Sequence, residues 1–380
     1  MRLGSKALVR PRLLLASSLH RWNDVRIYHK QARSLVPEYD VTVMGVTSPG
    51  RAIDGISVIE LPVPRSSFGR FMNAVRIFKT GVFGGARMVH FHDPELIWIG
   101  LVLKLFGKRV VYDVHEDLQA VVQIRSWIPH PLKNIIGFLA HSVELLGQWS
   151  FDGLILAEDS YLNNFSRNDR IVVVRNFVRV SDQPLKIDIG KKNVFYAGSV
   201  TIARGVGDLL KAVALLQKNE KNIGAIIAGN LPASESEAIT QLISTLPNPE
   251  AIQLVGYTDF DDLPSLALRC RIATVPLRQA ENYDRSIPTK ILDYMNWGMP
   301  FVYSKLELTD ELFGDHCGGI GYEPGNVDEL ARAITLIMTN SKLHSRLRGE
   351  AREKVAYFNW EGEEGKLLSL FQEISSFDRI

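Results

Sequence analysis

The sequence predicts an α/β protein built from two doubly wound parallel sheets. Short apolar runs alternate with longer amphipathic stretches, which is the pattern of strand-helix-strand units. The chain has 380 residues, more than a single core usually serves. The alternation stops once, at the polar Ser181-Asp-Gln-Pro-Leu-Lys-Ile-Asp-Ile-Gly190, whose proline and glycine suit a linker, and then starts again. A first domain over 1–180, a second over 181–360 and a last helix over 361–380 are therefore expected.

In the first half, strands are expected at 13–16, 40–44, 88–91, 109–113, 153–156 and 171–174, with helices between them. The apolar Leu13-Leu-Leu15 run reads as strand rather than signal peptide, because Arg10-Pro-Arg12 interrupts it and no small-residue cleavage site follows. The segment 131–149 is apolar at helical spacing with few charges, which suits a buried helix or one lying on a membrane surface. In the second half, strands are expected at 193–197, 224–228, 252–255, 272–275, 300–303 and 319–322. A helix is expected from Pro288, which suits a first turn, to Gly298 and Pro300, which stop it. In doubly wound sheets the carboxyl ends of the strands carry the ligands, so the two domains would face each other across one cleft.

Composition narrows the functional classes. Lys and Arg number 44 against 42 Asp and Glu, a balance that argues against a dedicated nucleic-acid binder. The chain begins with a run of basic residues, Arg2, Lys6, Arg10, Arg12, Arg21, Arg26, Lys30 and Arg33, which suits an anionic membrane surface, a diphosphate or simply a solvated start. Two cysteines without metal-ligand spacing fit a reducing compartment and a fold held by neither disulfide nor metal. No stretch is long enough and apolar enough for a transmembrane helix.

The most informative segment is Ser286-Ile-Pro-Thr-Lys-Ile-Leu-Asp-Tyr-Met-Asn-Trp-Gly-Met-Pro300. Lys290 and Asp293 stand three apart, on one helical face. A helix N-terminus favours anions, so a lysine in its first turn makes a phosphate site, and a carboxylate one turn later can accept hydrogen bonds from ribose hydroxyls. Upstream, Gly198 and Ser199 follow a strand, and Arg204 and Gly205 precede a helix. Glycine there lets backbone approach a diphosphate, while Arg204 can hold phosphate oxygens in a fork. The plain alternative is a strand-to-helix turn with a surface arginine.

The pattern Pro-x-Lys-x-x-acid-Tyr-Met-x-x-Gly-x-Pro resembles the donor-site helix of GT-B glycosyltransferases, specifically the retaining family 4 of bacterial surface-polysaccharide synthesis. Further pieces resemble that family in order: Asp24-Val-Arg-Ile-Tyr-His-Lys30, His90-Phe-His-Asp-Pro-Glu95, Val111-Tyr-Asp-Val-His-Glu116, Ala197-Gly-Ser-Val-Thr-Ile-Ala-Arg-Gly205 and Phe358-Asn-Trp-Glu361. The resemblance implies two Rossmann-like domains with the last helix crossing back onto the first. It also implies transfer from a nucleoside-diphosphate sugar to a polyprenyl-linked or oligosaccharide acceptor, with retention, by a protein peripheral on the cytoplasmic face of a membrane. No cofactor, no metal and no nucleic-acid partner are expected, since Arg204, Lys290 and helix dipoles can stabilise the leaving diphosphate.

By the same resemblance, Gly198, Ser199, Arg204, Ser286, Ile287, Lys290 and Asp293 bind the donor, and His115 reaches toward its sugar. The family's usual Arg and Lys around the glycine turn are here Ser199 and Arg204, which makes Lys290 the candidate substitute for the missing cation. The first glutamate of the family's pair falls on Arg285, and the second on Asp293. On the acceptor side stand Asp24, Arg26, Lys30 and His92, the last with Asp93; His90 and His92 are read as facing opposite sides about Phe91. An ordinary helix face capped by Asn23 or Asp24 carries equal weight for the first three. A sugar-nucleotide 2-epimerase of the same fold and a non-catalytic nucleotide-sugar-binding partner are the rival functions.

Overall fold

The computed structural model describes residues 10–115, 130–165, 167–284 and 286–376. Arg2, Lys6, Glu116 and Arg285, named above, lie outside them. The chain divides into two compact units, Met1–Asn176 with Glu361–Ile380, and Phe177–Trp360.

The first unit is a seven-stranded, wholly parallel sheet in the order β3-β2-β1-β4-β5-β6-β7. Its strands are β1 (Arg12–Arg21), β2 (Asp40–Val46), β3 (Ile56–Leu61), β4 (Met88–Phe91), β5 (Arg109–Val114), β6 (Gly153–Leu156) and β7 (Ile171–Val173). Strands buried on both faces need unbroken apolar runs, and Leu13, Leu14, Leu15 and Ala16 are accordingly inaccessible between Val41 and Met88 and their neighbours. The helix Trp360–Ser376 closes this unit. The Tyr39 hydroxyl lies 2.8 Å from Ser375 Oγ and donates to the Phe371 carbonyl at 3.0 Å. A Cβ on Gly153 would stand 2.9 Å from Ile374, so the helix rests directly on β6.

The second unit is a six-stranded parallel sheet in the order β10-β9-β8-β11-β12-β13. These are β8 (Asn193–Ala197), β9 (Gly224–Ala228), β10 (Ile252–Gly256), β11 (Ile272–Val275), β12 (Phe301–Ser304) and β13 (Gly319–Tyr322). Alternate residues of β8 serve different cores: Phe195 and Ala197 pack with Tyr294 and Trp297, while Val194 and Tyr196 pack with the helix Val206–Gln217. Both sheets therefore have the Rossmann-like doubly wound form. In each, the strand order reverses once, between β1 and β4 and between β8 and β11, and the carboxyl ends there are where such sheets bind ligands.

Three expectations need correction. Strand β3, Ile56-Ser-Val-Ile-Glu-Leu61, escaped the pattern because Ser57 and Glu60 break its apolar residues into short pieces, as suits an edge strand with four of its six residues at least partly exposed. The segment 181–190 is no loose linker: the Ser181 and Leu185 amides donate to Asn296 Oδ1 and the Trp297 carbonyl, and Ile187 joins the core. Nor does the basic start form one face. Arg12 pairs with Asp40 at one end of β1, Arg21 donates to Ser48 at the other, and Arg26 and Lys30 are buried.

Candidate functional site

In the second unit the site begins where β8 ends. Gly198 has φ +150°, and a Cβ there would lie 2.4 Å from Lys290 Cε and 3.2 Å from Lys290 Nζ. Glycine suits this positive φ and leaves room for the lysine stem to cross the strand end, where an added Cβ would make the lysine tip shift. The turn is held by the Gly198 amide donating to the Ala228 carbonyl (2.8 Å) and by the Tyr196 hydroxyl donating to the Ser199 carbonyl (2.8 Å). Ser199 itself is exposed. Arg204 follows, its amide donating to Thr201 Oγ1 at 3.2 Å and its guanidinium lying 5.7 Å from the centre of the Tyr283 ring. Gly205 then caps the helix Val206–Gln217 at φ +77°, so that helix points its amides at the same strand end.

Lys290 stands in the first turn of the helix Thr289–Asn296, with Pro288 just ahead as the cap residue. The buried Tyr294 hydroxyl accepts the Ala197 amide at 3.1 Å, which ties this helix to the end of β8. Burial and the positive charge of Arg204 lower the Lys290 pKa to about 8, against the opposing pull of Asp293. Two cations and one carboxylate thus sense one another at two helix N-termini. Ser286 and Ile287 precede the helix, half-buried, with Ile287 packed on the core. Sequence reasoning missed Arg278, which follows β11 and holds the buried Asp208 in a fork at 2.9 and 2.7 Å. An arginine just after an apolar strand, as with Arg204, was the available signal.

The first unit gathers its polar groups around Asp113, which is fully buried. Arg26 Nε and Nη2 donate to its two oxygens at 2.9 and 2.8 Å, and Gln31 Nε2 donates at 2.7 Å. His92 Nδ1 and His115 Nε2 each lie 3.2 Å from Asp113 Oδ2. Burial alone would raise this carboxyl's pKa, but Arg26, His115 and His92 hold it well below the usual carboxylate range. His90, His92 and Asp113 bring ligand-type atoms within 4.8 Å of one another. Arg26 already engages both carboxylate oxygens, so a cation there would face a guanidinium.

This geometry corrects the acceptor-side assignment. Arg26, Lys30 and His92 are buried, and each is engaged within the unit: Lys30 donates to the Asn176 carbonyl (3.1 Å) and side chain (2.6 Å). Asp24 accepts the Arg26 and Ile27 amides, capping the wide-turned helix Val25–Ala32. His90 and His92 share a side, their ring centres 4.5 Å apart, as residues two apart along a strand do.

The more accessible groups are His115 and His20, with His20 44% exposed. His20 Nδ1 lies 3.0 Å from the buried Asp93, which also accepts Ser17 Oγ, Ser18 Oγ and the Ser18 amide. Burial would raise the Asp93 pKa, yet His20 and Ser18 bring it down to about 2. A histidine oriented by an ionised carboxylate is suited to taking a proton from a hydroxyl. Asp93 was singled out from sequence; His20 carried no motif.

Residues 178–354 match the family model of glycosyl transferases group 1. The second unit is a glycosyl transferases group 1 domain. The Gly198, Arg204 and Lys290 cluster lies within this group 1 domain. The alpha-D-kanosaminyltransferase of Streptomyces kanamyceticus is 22% identical over 182 residues, 48% of this chain and 45% of that protein, so the match spans about half of each. Sucrose-phosphate synthase from Thermosynechococcus elongatus has a similar structure, with a TM-score of 0.70 at 17% identity, over 97% of this chain and 99% of the other. Anabaena Alr3699/HepE in complex with UDP-glucose gives 0.66 at 15% identity, over 97% and 98%. The architecture is that of a GT-B glycosyltransferase, with two Rossmann-like units.

Two outcomes are expected. Arg26→Ala should lower the unfolding free energy by about 3–5 kcal/mol, because it leaves the Asp113 charge buried without its main partner. Denaturant unfolding measures this, and a loss below about 1 kcal/mol would contradict the network. If a diphosphate meets Lys290, its affinity should fall as pH rises through about 8, where the lysine loses its proton. Lys290→Arg should remove that fall over the same range; calorimetric titration of a nucleoside diphosphate at pH values on either side of 8 tests it.

Proposed function

We propose that the protein transfers a sugar from a nucleoside-diphosphate sugar to a hydroxyl of a lipid-linked or oligosaccharide acceptor. The setting we assign is surface-polysaccharide synthesis at the cytoplasmic face of a membrane. The observation that carries this reading is Lys290 lying across Gly198, with Arg204 and Asp293 beside it, at two helix N-termini within the group 1 domain. Among the described residues no helix is long and apolar enough to cross a membrane.

Arg204 and Lys290 hold the diphosphate, with backbone amides at the starts of the two helices. As the bond from the anomeric carbon to the phosphate oxygen breaks, negative charge gathers on the leaving nucleoside diphosphate, and these fixed donors stabilise it more than they stabilise the ground state. Asp293 accepts the ribose hydroxyls. The acceptor oxygen bonds to the anomeric carbon from the face the phosphate leaves, and its proton passes to a phosphate oxygen, which retains configuration. No metal cofactor enters this scheme.

One observation favours a second stereochemistry. The ring of His20 is oriented by Asp93, and a histidine so held is the kind of base that takes a hydroxyl proton, which would accompany direct displacement and inversion. Proton NMR of the first product formed decides between them: the donor's anomeric configuration supports retention, and the opposite one assigns the proton to His20.

Lys290→Ala and Arg204→Ala should each lower turnover by about 10²–10³-fold with the fold intact. Activity should persist in EDTA. Asp293→Asn should instead weaken nucleotide binding, since a ribose contact is made equally before and during reaction. Turnover near the unmodified value in both cation variants would overturn the site. Release of an epimerised sugar nucleotide, or tight donor binding with neither transfer nor hydrolysis, would replace the transferase reading with an epimerase or a non-catalytic binder.

A further inference from the structure

One face of the first unit is covered by three neighbouring helices, Ser67–Phe83, Ile97–Leu105 and His130–Ser150. Phe71 stacks on Trp98 with ring centres 5.8 Å apart, and Phe78 meets Phe106 edge-on at 5.7 Å, which joins the first two helices along their length. Gly147 brings the third against the second, since a Cβ there would stand 3.1 Å from Ile97. The outward surface is unusually apolar: Phe68 is 71% exposed, Phe71 51%, Trp98 41%, Leu105 86% and Trp149 70%. Isolated exposed apolar side chains are ordinary, but several large ones on adjoining helices are not.

The exposed charges on this face are predominantly positive. From Leu61 to His92 there is no Asp or Glu, while Arg65, Arg70, Arg76, Lys79 and Arg87 are all exposed. In the helix Ser67–Phe83, Asn73, Ala74, Ile77 and Gly81 turn inward, so Phe68, Lys79 and Phe83 project together on the far side. Of the nearby acids, Glu144 and Asp152 are buried, and Glu95 sits 3.9 Å from Arg70. The chain as a whole is nearly neutral at +2, so this is a local concentration.

We propose that this three-helix face docks the protein on an anionic lipid bilayer. Aromatic and leucine side chains enter the boundary between headgroups and acyl chains, where tryptophan is favoured, and the arginines and lysines meet lipid phosphates. A second copy of the chain is the poorer occupant, because the same positive charges would oppose each other. The proposal rests on the transferase reading only in giving a lipid-linked acceptor a surface to be met at.

The test is sedimentation of the full chain with vesicles of phosphatidylglycerol and phosphatidylcholine, against phosphatidylcholine alone, with no donor or acceptor present. The unmodified chain should bind the anionic vesicles far more than the neutral ones and detach as salt rises. Arg76→Glu with Lys79→Glu should lower partitioning by at least about tenfold, and Phe68→Ser with Phe71→Ser should also lower it. Arg332→Glu with Lys342→Glu, exposed positions of the second unit, should leave partitioning unchanged. Thermal unfolding of each variant checks that the fold survives, and a single substitution, Lys79→Glu, serves if a double one does not fold. Equal partitioning of the face variants and the unmodified chain would overturn the proposal. So would concentration-dependent dimers, seen by sedimentation velocity without lipid, that the same substitutions abolish. Transfer to a soluble acceptor is assayed separately, so a failed docking surface and a failed transferase reading give different results.

Discussion

Lys290 lies where a side chain on Gly198 would be, and the polar end of the second unit is arranged around that close approach. The strand has to end in glycine, the helix Thr289–Asn296 has to start beside it, and Tyr294 pins the two together through the Ala197 amide. Pressing the lysine stem into the protein beside Arg204 costs it part of its basicity, which is why Asp293 one turn along matters electrostatically. An incoming diphosphate would relieve the repulsion between the two cations. A site that is strained in its charges when empty and satisfied when an anion arrives is organised for anion binding before the ligand is present.

The first unit spends its charges differently. Asp113 collects Arg26, Gln31, His92 and His115 in the interior, and Lys30 is consumed by Asn176. Buried ionic networks of this kind are costly to break rather than strongly stabilising in themselves, so their effect is to hold one arrangement of β1, β4 and β5 against others. His115 emerges from this network oriented by Asp113, and His20 is oriented by Asp93. The two histidine rings lie 6.0 Å apart with their planes 30° from parallel, at the carboxyl ends of the strands.

Much of this was legible in the sequence, for physical reasons that differ by element. Strands sealed on both faces, such as β1, β8, β9, β11 and β12, must be largely apolar, and a continuous apolar run is easy to read. The edge strand β3 has no such requirement, and Ser57 and Glu60 interrupt its apolar residues. Proline and glycine marked the helix Thr289–Asn296 because backbone geometry at a helix start and stop restricts residue type. The polar residues near the start of the chain misled for the converse reason. A sequence shows that Arg26, Lys30 and His92 are polar, and polarity suggests solvent, but only the packed fold reveals that a buried carboxylate at Asp113 claims two of them and Asn176 the third. The segment 181–190 looked like a linker for the same reason, since its partners Asn296 and Trp297 lie far along the chain.

The central claim is that the space left by Gly198 positions Lys290 for a diphosphate. Calorimetric titration of a panel of nucleoside diphosphates, with the matching nucleosides, into the unmodified chain and into Gly198→Ala tests it most directly. The account predicts that the added methyl group displaces Lys290 and weakens diphosphate binding more than tenfold, roughly the loss of one charge-assisted hydrogen bond, while nucleoside binding changes little and the protein still unfolds cooperatively. Equal diphosphate affinity in the two proteins would contradict it.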